Sequence, residues 1–522
     1  MSQIQRFAVV GEGDPETLLA AVAERTGLVP TGEVAARRIF LDTADGRVRK
    51  AGGCLEMRSP VRGRQAPTLV WSSVETGETL GTVDLARDAD PPRWVEDLPD
   101  SPVRDRLAPL LEMRVLLPQA EVMSRLTMLA ERDDEGKTTA RLVLDDSTLL
   151  GSATLPPVVE VLPVRGYEKD ATRLAGFLAA QVILEPVDGP LVDLAREALD
   201  APAYLSSKLK LVLDPDVTAE EAWREVLSVL ASTMAANLEG TRDDTDSEFL
   251  HDYRVAVRRT RSVLQEGRGV LPDEARARWR QEFKWLGDIT TPTRDADVHL
   301  LDLPALVATL PAERAADLEP LHDLLVAHQQ RCHDELVEAL DSERAAALVA
   351  SWDRFLTEPW TDAGTDASRP APEVAAERLA KAWKRVVRDG RRIGDDSPAE
   401  LLHDLRKDAK RLRYLLECFG SLLDREVAPL AVKALKGLQD CLGEFQDTEV
   451  QADALGHFGD ALVARGDTPA ATLLAMGGVV EHLGERGRRA RQQFAGRFAA
   501  FDHPDTRRVF RRLIDVSEGT DG

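Results

Sequence analysis

The sequence predicts a multi-domain α+β protein. An antiparallel β-barrel or sheet comes first, and an all-α domain of two pseudo-symmetric helical bundles follows. The 522 residues are enough for two to four domains. Short β-type runs separated by Pro and Gly fill residues 1–203. From Thr218 onward the chain is rich in Ala, Leu, Glu and Arg, and apolar residues recur at the helical spacing i, i+3, i+4 and i+7.

The N-terminal domain, residues 1–203, is predicted to contain more strands than helices. Strands are expected at 7–10, 38–41, 68–71, 140–144 and 158–162, and helices at 15–25 and 171–184. Several strands with few helices favour an antiparallel sheet or barrel. A linker at 204–217 is predicted to follow.

The helical domain is predicted to span residues 218–516. A Pro-, Asp- and Ala-rich stretch at 358–373 reads as a linker between one half at 218–357 and another at 374–516. The two halves repeat each other. LHDYRVAVRRTR at 250–261 matches LHDLRKDAKRLR at 402–413, and the offset from His251 to His403 is 152 residues. Such a repeat predicts two related bundles in tandem.

The repeat register extends in both directions from these two segments. Upstream, Thr245 to Glu248 and Ser397 to Glu400 both fit the [ST]-x-x-E pattern of a capping box that can start a helix. Downstream, Lys284 aligns with Lys436 at the same offset. One ungapped register over about 50 residues is hard to obtain by chance.

The net charge argues against a general nucleic-acid or anionic-membrane binder. The chain carries 67 Lys and Arg against 90 Asp and Glu, which gives a formal net charge of −23, and like charges repel. We see no signal peptide and no apolar run long enough to span a bilayer. The four cysteines are scattered, which fits reduced thiols in a cytosol. We therefore expect a cytoplasmic protein with no membrane partner.

Two helices are predicted to carry a cationic stripe along one face. His251, Arg254, Arg258 and Arg261 stand at i, i+3, i+7 and i+10, and the second half repeats this spacing with His403, Arg406, Lys410 and Arg413. Each stripe is about 15 Å long. A solvated face usually mixes charges, whereas a stripe of one sign needs a compensating anion. Arg suits phosphate oxygens because its guanidinium presents forked donors.

Other basic residues are secondary candidates, each with an ordinary surface role as the alternative. One further predicted helix repeats the stripe spacing with Arg378, Lys381, Arg385 and Arg388. Lys284 and Lys436 occupy equivalent positions in the two halves, and Arg276 and Arg280 precede Lys284 at helical spacing. Asp295, Asp297 and Asp447 could order the cations or simply cap helices. We predict no catalytic residue, no metal ligand and no cofactor, because HExxH, GxSxG and Walker-type loops are absent. His328 and His333 stand five residues apart, which is poor spacing for a shared metal.

The doubled His-x-x-Arg helix resembles the signature helices of the CHAD family, the conserved-histidine α-helical domain. The resemblance covers about residues 215–515. It implies two helical bundles facing each other across a basic channel, binding of inorganic polyphosphate, and location at polyphosphate granules. The ligand positions that it implies are His251, Arg254, Arg258, Arg261, His403, Arg406, Lys410 and Arg413.

Residues 1–203 resemble a diverged CYTH domain, the barrel of the triphosphate tunnel metalloenzymes. FLDT at 40–43, LEMR at 55–58 and PAYLSSKLK at 202–210 carry the resemblance. The E-x-E-x-K opening strand of that family would fall on Ser2, Ile4 and Arg6, so both carboxylates are missing. Glu56 replaces a family arginine and leaves Arg58. Glu160 is retained, but Leu162 replaces its acidic neighbour.

Three functional hypotheses follow from these resemblances and patterns. The first is polyphosphate binding in a basic channel, with an N-terminal domain whose catalysis is absent or severely weakened and which serves as a scaffold or partner surface. The second is a metal-dependent inorganic triphosphatase in that domain, which would need Mg²⁺ or Mn²⁺. The third is nucleic-acid binding, which the 5% aromatic content argues against because few rings are present to stack on bases. We prefer the first hypothesis; the sequence does not address the oligomeric state.

Overall fold

The computed structural model describes residues 3–11, 14–61, 65–150, 155–206, 209 and 211–515. The chain divides into two compact units, Met1–Leu205 and Ser206–Gly522. The division lies close to the border at 203 that the sequence predicts. Ser2 of the expected opening strand and Ser207, Lys208 and Lys210 of the PAYLSSKLK segment lie outside the described residues.

The first unit is built on one antiparallel sheet, as predicted. Its nine described strands lie in the order β5-β4-β3-β2-β6-β7-β8-β1-β9. The strands are β1 (Gln5–Val9), β2 (Val29–Asp42), β3 (Gly53–Pro60), β4 (Thr68–Ser73), β5 (Thr79–Asp84), β6 (Leu117–Arg132), β7 (Thr138–Leu149), β8 (Val158–Pro163) and β9 (Leu184–Pro186). The sheet curls enough for the amide of Ile4, just before β1, to donate to the carbonyl of Glu75, just after β4, at 2.8 Å.

Short helices cover the apolar faces of this sheet. They are α1 (Pro15–Thr26), α2 (Arg47–Lys50), α3 (Pro102–Leu111), α4 (Glu168–Ala179) and α5 (Leu191–Ala198). Leu142 and Leu144 of β7 pack against Leu174 and Leu178 of α4 in one buried cluster. Alternate residues of a strand share a face, so the other faces of β2, β3 and β7 are left for polar side chains.

Four of the five predicted strands lie within β2, β4, β7 and β8, and the strand predicted at 7–10 matches β1 except for its last residue. The helix predicted at 15–25 is α1, whereas the one predicted at 171–184 ends early, because α4 stops at Ala179 and β9 begins at Leu184. The sequence-based prediction missed four strands, β3, β5, β6 and β9, and β6 is the longest strand of the described sheet. The stretch of β6 mixes Glu, Ser and Arg with Leu and Met, and only part of it alternates between buried and exposed residues. The period-2 signal of a strand is therefore weak there.

The second unit is helical. Its described α-helices are α6 (Ala219–Arg242), α7 (Ser247–Glu266), α8 (Asp273–Val307), α9 (Glu319–Leu340), α10 (Glu343–Thr357), α11 (Ala371–Gly390), α12 (Ala399–Phe419), α13 (Ala428–Arg465), α14 (Ala470–Phe501) and α15 (Pro504–Ile514). Within the described residues, no helix is both long and apolar enough to cross a lipid bilayer.

The structure confirms the 152-residue repeat. Helix α6 begins at Ala219 and α11 at Ala371, while α7 begins at Ser247 and α12 at Ala399. Both pairs of starts differ by 152 residues. The pattern found in the sequence is therefore a repeat of helices in space.

The predicted capping boxes are wrong at both helix starts. The Asp246 side chain caps α7 by accepting from the Glu248 amide at 3.0 Å. Helix α12 starts directly after Pro398 and has no side-chain cap. Both helices begin one residue later than a box with its N-cap at Thr245 or Ser397 would place them, because Asp caps well and Pro already holds a φ of −65°.

The two halves of the helical unit share one core. Trp223 of α6 stacks on Phe419 of α12 with ring centroids 4.2 Å apart. The segment 358–373, predicted as a linker, packs into this unit through buried Trp360, and its last three residues begin α11. The Ala371 amide donates to the Val217 carbonyl at 3.0 Å. The connection is thus ordered and ties the start of the second half to the first.

Candidate functional site

The two predicted stripes lie on neighbouring helices of the shared core. On α7 the residues Ala256, Val257 and Val263 are buried, and on α12 Leu405, Ala409 and Leu412 are buried. Burial of these apolar faces fixes the rotation of each helix and leaves the cations at its margin. An ion pair between Arg259 of α7 and Glu417 of α12, with an N–O distance of 2.7 Å, connects the two helices.

A first cavity of about 590 Å³ lies between α7, α12 and α13. Helix α7 contributes His251 and Arg258, α12 contributes Arg406 and Lys410, and α13 contributes Asp440. The other lining residues are Leu209, Val255, Arg259, Arg413, Tyr414, Glu417, Gln439 and Gly443.

A second cavity of about 550 Å³ lies between α7, α12 and α8. Its lining residues are Arg258, Arg261, Ser262, Gln265, Ala277, Arg280, Gln281, Lys284, Lys407, Lys410, Arg411 and Tyr414. Seven of these are Arg or Lys, and none is acidic. The two cavities share Arg258, Lys410 and Tyr414, so we treat them as one feature, the basic groove. Helices α8 and α13 occupy equivalent places in the two halves, so the groove follows the internal repeat.

Four cations of the basic groove have no ion pair or hydrogen bond within the described part of the chain: Arg258, Arg261, Arg280 and Lys410. The Nε atom of Arg258 is buried without a partner there. Unpaired cations that lie close together repel one another, and a bound anion would relieve this repulsion. The chain as a whole has a net charge of −23, whereas the basic groove is locally positive.

The other stripe residues are paired, mainly by acids of α13. The Arg406 guanidinium donates to Asp447 at 2.8 Å, His403 Nε2 lies 2.7 Å from Glu449, and Arg413 donates to Glu417 at 2.7 Å. Asp447 was among the sequence candidates for ordering the cations, and it does contact Arg406. These residues would have to exchange a carboxylate for an incoming anion.

Arg254 is turned away from the basic groove. Its Nη1 donates to the hydroxyl groups of Thr290 and Thr291 of α8 at 2.8 and 3.0 Å. Burial and the neighbouring Arg258 lower the pKa of Arg254 to about 10. Arg254 thus belongs to the packing between α7 and α8 in this structure.

Lys410 lies at the junction of the two cavities and is half-buried. Burial, and next the positive charges of Arg406 and Arg258, lower the pKa of Lys410 to about 8. Asp447 opposes this effect, yet burial raises the pKa of Asp447 itself above its usual value. A bound anion would stabilise the charged form of Lys410.

The secondary candidates separate into two groups. Lys284 and Arg280 line the basic groove. Lys436 is exposed on α13 and lines neither cavity, and Arg276 lies 3.6 Å from Asp273. The α11 residues lie elsewhere: Arg378 pairs with Asp366 at 2.8 Å, Arg385 lies 3.6 Å from Asp408, Arg388 pairs with Asp389 at 2.7 Å, and Lys381 is exposed.

The sequence analysis missed several groove residues. Lys407, Arg411 and Tyr414 of α12 line the second cavity. They stand at i, i+4 and i+7, so they form another line beside the predicted stripe. That spacing was available in the sequence. The contribution of Arg259 was not, because it depends on a pairing with Glu417, which lies 158 residues away.

The polar interior of the N-terminal sheet is neutralised by its own ion pairs. Buried Arg38 of β2 donates to Glu56 of β3 and to Asp145 of β7, each at 2.5 Å. Arg58 also pairs with Glu56, and Arg6 pairs with Glu160 at 2.7 Å. Burial would raise the pKa of Glu56, but the guanidinium groups of Arg38 and Arg58 hold it below its usual value.

This network does not fit a divalent metal. A Mg²⁺ or Mn²⁺ site needs free carboxylate oxygens, and each of Glu56, Asp145 and Glu160 already binds a guanidinium. In the part of the chain that the structure describes, no group of three or more His, Cys, Asp or Glu side chains could hold a metal ion. We therefore derive no metal-dependent step for this unit.

Comparison with known proteins identifies the helical unit. The CHAD domain family matches residues 225–456, so this chain contains a CHAD domain, as the doubled His-x-x-Arg helix predicted. The nine described strands of the first unit form the antiparallel sheet expected for it.

Several known proteins are similar to this chain. The uncharacterized protein Rv2226 of Mycobacterium tuberculosis is 29% identical over 287 residues, which cover 51% of this chain and 54% of that protein. The chain thus matches about half the length of its curated relatives. The CHAD domain of Ricinus communis is 26% identical with a TM-score of 0.44, over 58% of this chain and 95% of that one. HpAC1 from Hippeastrum, described as having a dominant triphosphatase activity, is 17% identical with a TM-score of 0.29, over 38% of this chain and 96% of that one.

Proposed function

We propose that the basic groove binds inorganic polyphosphate. The observation that carries this proposal is the set of four unpaired cations, Arg258, Arg261, Arg280 and Lys410, which line two joined cavities between the halves of the CHAD domain. Guanidinium and ammonium groups form strong charge-assisted hydrogen bonds with phosphate oxygens. No covalent chemistry is needed for this role.

A flexible polyanion suits the basic groove better than a nucleic-acid duplex. Among the described residues, Tyr414 is the one Phe, Trp or Tyr that lines the two cavities, so bases would find little to stack on. The chain is acidic on average, and its net charge of −23 repels a wide polyanion while the recessed cations attract a thin one. Binding of this kind would bring the protein to cytoplasmic polyphosphate granules, which is the location we propose.

Polyphosphate binding should depend steeply on salt. Each neutralised phosphate releases counterions, and the slope of log K against log salt is about −0.7 per contact for a single strand. Four contacts predict a slope of about −3. The measurement is a titration of the full chain with long-chain polyphosphate at rising NaCl concentration. A slope near zero, or tighter binding of single-stranded RNA at equal phosphate concentration, would contradict the proposal.

Triphosphatase activity in the first unit is the alternative function, and we expect none. Glu160 is the one acid retained from the late family motif, but Arg6 already pairs with it at 2.7 Å. Release of phosphate from tripolyphosphate with Mg²⁺ or Mn²⁺ should therefore stay at the level of the buffer. Turnover that Glu160→Gln abolishes would establish the enzyme instead, and Arg37→Gln, at an exposed pair on β2, is the matched control.

A further inference from the structure

Lys410 differs from the other amines of the basic groove. Lys284 lies 2.5 Å from Asp288 and Lys407 lies 3.0 Å from Asp404, so both are paired. The Lys410 ammonium has no such partner among the described residues, and it lines both cavities. It is therefore an uncompensated amine at the centre of a space that is open to small molecules.

Three guanidinium groups that could bind a phosphate surround Lys410. Arg406 and Arg413 precede and follow it on its own helix, Arg258 faces it from α7, and all three line the first cavity with it. The acid that acts on it is Asp447 of α13, which is already bound to Arg406. A phosphate held by Arg258 or Arg406 would thus bring any group attached to it close to the Lys410 amine.

We propose that Lys410 is a modification site that takes an acyl group from small acyl phosphates, and that its acylation closes the basic groove to polyanions. The donor class follows from the geometry, because the phosphate docks on the guanidinium groups and the acyl carbon faces the amine. The first part of the proposal concerns reactivity alone. The second part rests on the polyphosphate binding proposed above.

The reaction is balanced without a further reagent. The neutral Nζ attacks the acyl carbon and a C–N bond forms, while the bond between that carbon and the phosphate oxygen breaks. The amine loses one proton to the leaving group, which departs as inorganic phosphate. The product is a neutral amide, so the groove loses one positive charge where its two cavities meet.

Burial supports this reactivity because only the uncharged amine is nucleophilic. With its pKa lowered to about 8, Lys410 has a neutral fraction of about one tenth at pH 7. An ordinary lysine with a pKa near 10.4 has almost none. A less basic amine is also a weaker nucleophile, which offsets part of this gain. We expect a net advantage of about tenfold over an exposed lysine.

The test treats the full chain with acetyl phosphate and measures acetylation at each lysine by peptide mass spectrometry. Lys384 of α11 is the internal control, because it is exposed and unpaired among the described residues and lies outside the basic groove. Lys410 should react about tenfold faster than Lys384. This preference should be smaller with acetic anhydride, which has no phosphate to dock. Equal rates at the two lysines with acetyl phosphate would overturn the proposal.

A second measurement separates the modification from the proposed function. Acetylated wild-type protein should bind long-chain polyphosphate about tenfold more weakly, whereas Lys410→Arg, which keeps the charge but forms no acetyl-lysine there, should be unaffected by the same treatment. Preferential acetylation of Lys410 in a protein that binds no polyphosphate before treatment would uphold the reactive site and overturn the binding function. Unchanged polyphosphate affinity after full acetylation would overturn the switch.

Discussion

Replacing Arg258, Arg261 and Lys410 together by Gln should lower the affinity for long-chain polyphosphate at least about a hundredfold. A hydrogen bond to a charged group contributes about 1.5–3 kcal/mol, and 1.4 kcal/mol corresponds to a factor of ten. Among the described residues these three cations form no ion pair, so no internal ion pair is lost when they are removed. Isothermal titration at fixed salt measures the change.

The matched control removes the same charge elsewhere in the helical unit. Lys384, Arg392 and Arg508 are exposed and line neither cavity of the basic groove. Their replacement by Gln should change the affinity less than about threefold, because exposed charges at a distance are screened by salt. Equal losses in the two triple variants would show that net charge, and not the basic groove, controls binding.

The paired stripe residues should matter less than the unpaired ones. An anion that binds Arg406 must compete with Asp447, which already lies 2.8 Å from the guanidinium. Arg413 and Glu417 present the same situation. The identical spacing of the two stripes conceals this difference, since a pattern of cations does not show where the carboxylates of α13 will lie.

The sequence predicted the repeat well because helix periodicity and an offset of 152 residues are local properties. It also placed the stripes on the correct helices. It did not distinguish Arg254 from Arg258, although both fit the same stripe. Arg254 meets the hydroxyl groups of Thr290 and Thr291, and that contact depends on how α8 packs on α7. Helical spacing gives a direction around one axis, but it does not give the neighbour in that direction.

The sheet interior shows the same limit in the first unit. The replacement of a family arginine by Glu56 read as a lost phosphate ligand. The structure shows that this carboxylate binds Arg38, which also binds Asp145 from a strand 107 residues further along. The cations that remain are thus engaged by acids of the chain itself. The sequence shows that a motif residue has been replaced. It does not show which distant residue pairs with the replacement, because that depends on the strand order.

Arg38→Leu should therefore destabilise the N-terminal sheet by about 3–5 kcal/mol, because it leaves Glu56 and Asp145 buried with less compensation. Arg38 is 7% exposed and Glu56 is 2% exposed, so water cannot replace the lost guanidinium. Hydrogen exchange of β2, β6 and β7 amides in the full chain measures the change in local opening free energy.

The control is Arg37→Leu on the same strand, whose exposed pair with Glu121 should contribute less than about 1 kcal/mol. Equal effects of the two substitutions would contradict the buried network.

The pH dependence of Arg38→Leu should identify the carboxylates as the cause. In the wild-type protein the pKa of Glu56 lies below its usual value, so its contribution to stability is present above about pH 4.3 and is lost as the pH falls through the folded-state pKa. Without Arg38, burial should raise that pKa above the unfolded value, so the folded state binds more protons and loses stability as the pH rises. The deficit of Arg38→Leu relative to the wild type should then shrink between about pH 8 and about pH 5. A deficit that stays constant over this range would mean that lost packing of the Arg38 side chain, and not an uncompensated carboxylate, destabilises the sheet.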